Sequence, residues 1–300
     1  KYLQEIKSKN YSVMLNRLTH RIQEAVSVLL GKKKTIPEKI KPSFPKQNYK
    51  NLKPFIIEDE KLMDYLKNIS IEFCFCEFGE NRTNAGGNEL SNQDRLEPSL
   101  SSLKKYFPNA TYTVYSDFDL NVEGVNLKKV AHPEGLDKNH PRYMYRVTGY
   151  YKYKSLLEST ADFKCLIDSD MFIFSEEIYR LIYLTELFGS CAAATPRNLV
   201  KKDMEMSLDT KPITDMSNGY GHSYNQSPMT LWKGHELAEK YYQNCCDILL
   251  KDPSRNSRIM WLAAHDTKYT PYHLPTEWCV CGNQEGIGDE AVSYTHLTLP

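Results

Sequence analysis

Apolar residues run along this chain in two rhythms. Over residues 2–30, Leu3, Ile6, Val13, Leu15, Leu18, Ile22, Ala25, Val26, Leu29 and Leu30 recur at roughly helical spacing. That pattern predicts a helix over 1–31, stopped by Gly31. Residues 32–68 lose the rhythm. Lysines, with Pro37, Pro42, Pro45 and Pro54, read as a linker followed by a short helix. The Lys32-Lys33-Lys34 run reads as a solvated helix end. From Ile69 onward, short apolar runs alternate with helix-like stretches. Strands are expected at Ile69 to Phe78, Ala110 to Tyr115, Leu127 to Val130 and Phe163 to Ile167, and Met171 to Phe174 continues as apolar sequence. Helices are expected over 96–106 and 143–159, with a polar loop from Gly79 to Gln93. Alternating strands and helices predict an α/β domain with a mainly parallel central sheet, in which ligands gather at the carboxyl ends of strands.

Composition narrows this only a little. Of 300 residues, 41% are hydrophobic and 25% charged, the balance of a globular protein with room for one large domain. Lysine plus arginine equals aspartate plus glutamate at 38 each, which excludes nucleic-acid binding through bulk charge. The eight cysteines include Cys74-Phe75-Cys76 and Cys279-Val280-Cys281, whose one-residue spacing is not that of a zinc knuckle. Four of the eight sit in apolar, strand-like or small-residue stretches and read as small hydrophobes; a reducing compartment follows, and the expected location is cytoplasmic, including the periphery of a membrane. No run reaches the ~18 apolar residues of a membrane span. The chain begins at Lys1, and residues 292–300 resemble the translated read-through of a common transposase sequencing adapter. The expectation is therefore a domain over 69–291 that is truncated at its C-terminus and followed by a foreign tail.

The chemistry concentrates at Phe163 to Phe174. An apolar strand ends in Asp168-Ser169-Asp170, and apolar sequence resumes at once. Two carboxylates two residues apart oppose each other's ionisation unless a cation or hydrogen bonds compensate. A hard divalent ion, Mn²⁺ or Mg²⁺, held by Asp168 and Asp170 together with substrate phosphate and water, meets that need. Asp117 and Asp119 fall at another strand end. The plainer alternative is that these aspartates are loop residues capping the next helix.

Phe163 to Phe174 resembles the Asp-x-Asp element of GT-A-type glycosyltransferases, and the resemblance extends over roughly 69–291. Leu100-Ser101-Ser102-Leu103 with Tyr106-Phe107-Pro108-Asn109-Ala110 resembles the helix and turn before the second strand of such enzymes. Tyr115-Ser116-Asp117 resembles the strand end that approaches the nucleoside, and Tyr145-Arg146 the Tyr-Arg pair in the helix before Asp-x-Asp. Tyr224 to Trp232 resembles the later Asn-Ser-Gly element, except that Pro228 replaces its glycine, and Gly288-Asp289-Glu290 resembles the acidic element beyond it.

The resemblance implies transfer of a sugar from a nucleotide-diphosphate sugar to a glycan or other hydroxyl acceptor. It places Asp117, Arg146, Lys154, Ser169, Asn225 and Ser227 at the donor, with Arg146 or Lys154 as the basic group at the diphosphate. Asp289 or Glu290 would act on the acceptor hydroxyl or position the sugar. Glu277 and Trp278 would offer the acceptor an acid and a stacking face. His222, His265 and His273 are candidates for a third metal ligand. Two other readings compete. One is a haloacid-dehalogenase-type phosphatase, which wants threonine or valine where this chain has Met171-Phe172. The other is a non-catalytic carbohydrate-binding relative.

Overall fold

The segment Ile-Glu-Phe-Cys-Phe-Cys-Glu shows how this sequence builds a sheet with two covered faces. It forms strand β1 (Ile71–Glu77). Phe73 and Phe75 are buried in one core cluster, and Cys74 and Cys76 in another. Successive strand residues point to opposite faces, so near-continuous apolar sequence means cover on both sides.

The computed structural model describes residues 59–80, 92–198, 222–252, 256–275, 278, 280–281 and 293–295. The chain divides into two compact units, 1–59 and 60–300, and all the described residues but Asp59 lie in the second. The N-terminal helix expected over 1–31 and most of the expected linker are outside the described residues. In order, the second unit contains α1 (Asp59–Lys67), β1, α2 (Asn92–Tyr106), β2 (Thr111–Ser116), β3 (Asn126–Lys129), α3 (Tyr143–Glu158), β4 (Phe163–Leu166) and β5 (Met171–Ile173). There follow α4 (Ile178–Phe188), β6 (Cys191–Asn198), β7 (His222–Trp232), α5 (Glu236–Lys251), α6 (Asn256–Thr267), β8 (Tyr272–Leu274), β9 (Val280–Cys281) and β10 (Ser293–Thr295).

The main sheet has seven strands in the order β3-β2-β1-β4-β7-β6-β8. Neighbours pair in parallel except on either side of β7, which runs against both β4 and β6. The protein is thus a mixed α/β structure with a mainly parallel sheet, as the alternation of elements predicts. On one face, Leu96, Leu100 and Leu103 of α2 and Ile178, Leu181 and Ile182 of α4 close over Phe73, Phe75 and Phe163. On the other, Val147, Tyr151 and Leu156 of α3, Tyr241 and Tyr242 of α5 and Met260 of α6 cover Cys74, Leu166 and Leu231. Each such buried side chain contributes ~1.5–3 kcal/mol of transfer free energy. Helix α2 starts four residues earlier than the pattern suggests. Pro98 lies inside it, at a cost of one ladder hydrogen bond.

The second sheet has the order β5-β10-β9. Its middle strand comes from the tail expected to be foreign, and pairs Ser293 with Ile173 and Thr295 with Met171. Among the described residues, no helix is long and apolar enough to cross a membrane.

Candidate functional site

The parallel strands β1, β2 and β4 end on one edge of the sheet, and three polar stretches issue there. After β1 comes Phe78-Gly79, after β2 Asp117, and after β4 the turn Ile167-Asp168-Ser169-Asp170. The Ile167 N–H donates to Cys74 O on β1 at 3.0 Å, which extends the ladder to the brink of the acidic turn. Met171 N–H then donates to Asp168 O at 3.0 Å and closes a tight turn. This presents Asp168 and Asp170 half-buried, with Ser169 buried between them.

Two contacts fix Asp168 from different elements. Its N–H donates to Ser227 Oγ on β7 at 2.8 Å, and the same hydroxyl meets Met171 Sδ at 2.9 Å. Its carboxylate Oδ1 lies 2.6 Å from Lys152 Nζ on α3, with the lysine side chain 12% exposed and the aspartate 32%. Helical side chains slant toward the helix N-terminus, so a long lysine in the third turn of α3 reaches back to the sheet edge. Burial disfavours the Lys152 ammonium, but the charge and hydrogen bond of Asp168 more than offset it, and its pKa rises above the ordinary value. The pattern Tyr150-Tyr151-Lys152-Tyr153-Lys154 gave no reason to prefer Lys152 over Lys154.

Asp117 is engaged in a network of its own. Oδ1 accepts from Gly79 N–H at 2.9 Å, Oδ2 lies 2.7 Å from His132 Nε2, and His132 Nδ1 lies 3.0 Å from Tyr143 Oη. With Nε2–H donating to the carboxylate, Nδ1 accepts the tyrosine hydroxyl, and the chain ties the ends of β1 and β2 to the start of α3. Gly79 has φ of +78°, which suits glycine and aims its N–H at Asp117.

Of the two basic residues expected at a diphosphate, Arg146 is tied to α5 by its guanidinium. Arg146 is buried, and its Nη2 donates to Leu249 O and Asp252 O at the C-terminus of α5, where a cation suits the exposed carbonyls. Burial lowers its pKa, and Asp252 and Asp137 counter part of that. Lys154 is near enough to the Cys246 thiol on α5 to act on it electrostatically. Lys152 is a cation that meets the acidic turn, through Asp168. Trp278 is 5% exposed within the core cluster of Phe73 and Leu274, so its indole offers no open stacking face. His265 pairs with Asp266 at 3.0 Å, and His273 lies on β8. Asp289, Glu290, Glu277 and the side chains of His222 and Asn225 are outside the described residues.

Among the described residues, no group of three or more His, Cys, Asp or Glu side chains gathers to hold a metal. Asp168 and Asp170 still suit a hard cation of the Mg²⁺ or Mn²⁺ kind, because such ions bind through one or two carboxylates and complete their shell with substrate phosphates and water.

No family model and no curated protein matches the chain. Among solved structures it is similar to the apo structure of WbbM, a bifunctional glycosyltransferase, at 10% identity and a TM-score of 0.48. The match covers 76% of this chain and 46% of that one, so the chain spans less than half the length of the solved protein. A likeness of that degree carries no chemistry across.

Proposed function

We propose that this chain is a glycosyltransferase domain of the GT-A type. It moves a sugar from a nucleotide-diphosphate sugar to a glycan or other hydroxyl acceptor. The observation that carries the reading is the acidic turn at the carboxyl end of β4, in the middle of a mainly parallel sheet. Its backbone is held by Ser227 and its carboxylate by Lys152. In sheets of this kind that edge is where ligands bind.

Asp168 and Asp170 would hold the cation, whose contribution when bound is Lewis-acid stabilisation of the departing diphosphate. Ser227 keeps Asp168 at a fixed height above the sheet edge. Lys152 supplies positive charge beside the turn, suited to the phosphate oxygens of a donor. Asp117, braced by Gly79 and His132, presents a carboxylate one strand over from β1, where a donor's hydroxyl groups could be received. Asp289 and Glu290 remain the proposed acids on the acceptor side, with Glu277 beside them, and Asn225 is proposed to contact the donor sugar.

A panel of sugar nucleotides, assayed for Mn²⁺-dependent release of nucleoside diphosphate, tests this. The double variant Asp168→Asn, Asp170→Asn should lose that release while keeping its circular dichroism spectrum and melting transition. Unchanged release would refute the assignment of the turn. Turnover of an aryl phosphate, with no sugar nucleotide consumed, would replace the reading with a phosphatase. Binding without release would replace it with a carbohydrate-binding protein.

A further inference from the structure

Lys152 and Asp168 form a close pair at the place where a cation would enter. The lysine has little access to water at 12% exposure, so its ammonium needs an anion close by. With no donor bound, that anion is the Asp168 carboxylate at 2.6 Å. A divalent cation bound to the Asp168 carboxylate and this ammonium repel each other, so cation entry favours the departure of Nζ from Oδ1. The displaced ammonium then needs another anion within reach of a side chain anchored on α3. A diphosphate brought to the turn is such an anion.

Resting on the donor and metal reading above, we propose that Lys152 is a positioning residue, the resident counter-ion of the acidic turn. It holds Asp168 when no cation is bound and transfers to the diphosphate of the donor when a cation takes the carboxylate. The cation and the diphosphate then favour each other's binding, because each removes a cost of accommodating the other. Ser227 holds the backbone of Asp168 throughout, so the exchange involves side chains alone.

The test uses Lys152→Gln, with Lys152→Met as a second neutral variant that keeps the packing of the stem, and Lys152→Arg as the charge-keeping control. Mn²⁺ binding is read from the free-ion signal in electron paramagnetic resonance. Binding of inorganic pyrophosphate is read by calorimetry with Mn²⁺ present at a concentration that saturates the protein. Removing the ammonium should tighten Mn²⁺ binding about tenfold and weaken pyrophosphate binding about tenfold, each equal to ~1.4 kcal/mol. Lys152→Arg should follow the parent protein in both. A purely structural lysine would move both affinities in one direction or neither. Equal or weaker Mn²⁺ binding in the neutral variants overturns the counter-ion role and leaves the proposed function standing. Failure of the parent and variants alike to take up Mn²⁺ overturns the metal reading, and this inference with it.

Discussion

Replacing Ser227 with alanine removes the hydrogen bond by which this residue of β7 holds the acidic turn. Ser227 is 3% exposed, its hydroxyl accepts the Asp168 N–H at 2.8 Å, and it meets Met171 Sδ at 2.9 Å. Alanine fits the space but offers no acceptor. A buried N–H left without a partner costs about 1–3 kcal/mol, and the thioether contact, a weak one, adds little. The expected loss is therefore about 1.5–3 kcal/mol. Urea unfolding followed by the fluorescence of Trp232, Trp261 and Trp278 measures it. For a slope of about 3 kcal/mol/M the midpoint should fall by about 0.5–1 M with no change in slope. The same substitution in a Met171→Leu background should cost nearly as much, because the amide carries the effect. A fall below about 0.2 M would mean that water satisfies the Asp168 amide, and that β7 does not hold the turn.

Two further outcomes follow from other parts of the structure. Gly189 ends α4 with φ of +80°, and a Cβ there would come within 2.3 Å of the ring of His235, whose Nδ1 caps α5 by accepting the Ala238 N–H. Gly189→Ala should cost about 2–4 kcal/mol, but only about 1–2 in a His235→Ala background where the clash is gone; equal costs in the two would show that the ring is not the obstacle. Burial raises the thiol pKa of Cys74, Cys76, Cys165, Cys191, Cys245 and Cys246, to about 12 for Cys191 and Cys246. These six should not react with an aromatic disulfide reagent at pH 8 in a Cys279→Ser, Cys281→Ser background. Their unfolded thiols ionise near the ordinary value of about 8.5, so the stability they contribute is complete below that and declines as pH rises toward the folded values. Midpoints that hold steady from pH 8 to 11 would contradict this.

The strands were legible where burial on both faces makes an unbroken apolar run. Phe163 to Ile167 and Ala110 to Tyr115 correspond to β4 and β2 within a residue or two. The helix expected over 143–159 is α3 within one residue. The acidic turn was legible too, because apolar sequence on both sides of Asp168-Ser169-Asp170 leaves it nowhere to go but the end of a strand. What surrounds the turn was harder to see. The reversal of β7 has no local signature, since strand direction is set by the connection and not by residue preference. Arg146 and Lys152 both lie on α3, six residues apart, and nothing in composition says which cation faces α5 and which the sheet edge. Helix α3 is buried against the sheet and α5 together, so it lacks the single apolar stripe that would have fixed its rotation.

The reversal of β7 also bears on how such a protein could be re-engineered. Its pairing with β4 ends where Leu166 meets Met229, yet β7 continues back to His222, opposite Asn198 of β6. The β6–β7 pairing therefore extends past the edge that bears the acidic turn, with the end of β6 and the start of β7 on that side. A different connection spliced between Asn198 and His222 would leave untouched β1, β2 and β4, the strands that lead to Gly79, Asp117 and the acidic turn. The sheet that carries Asp168 is in that sense a chassis, and the join between β6 and β7 is a place to fit other sequence.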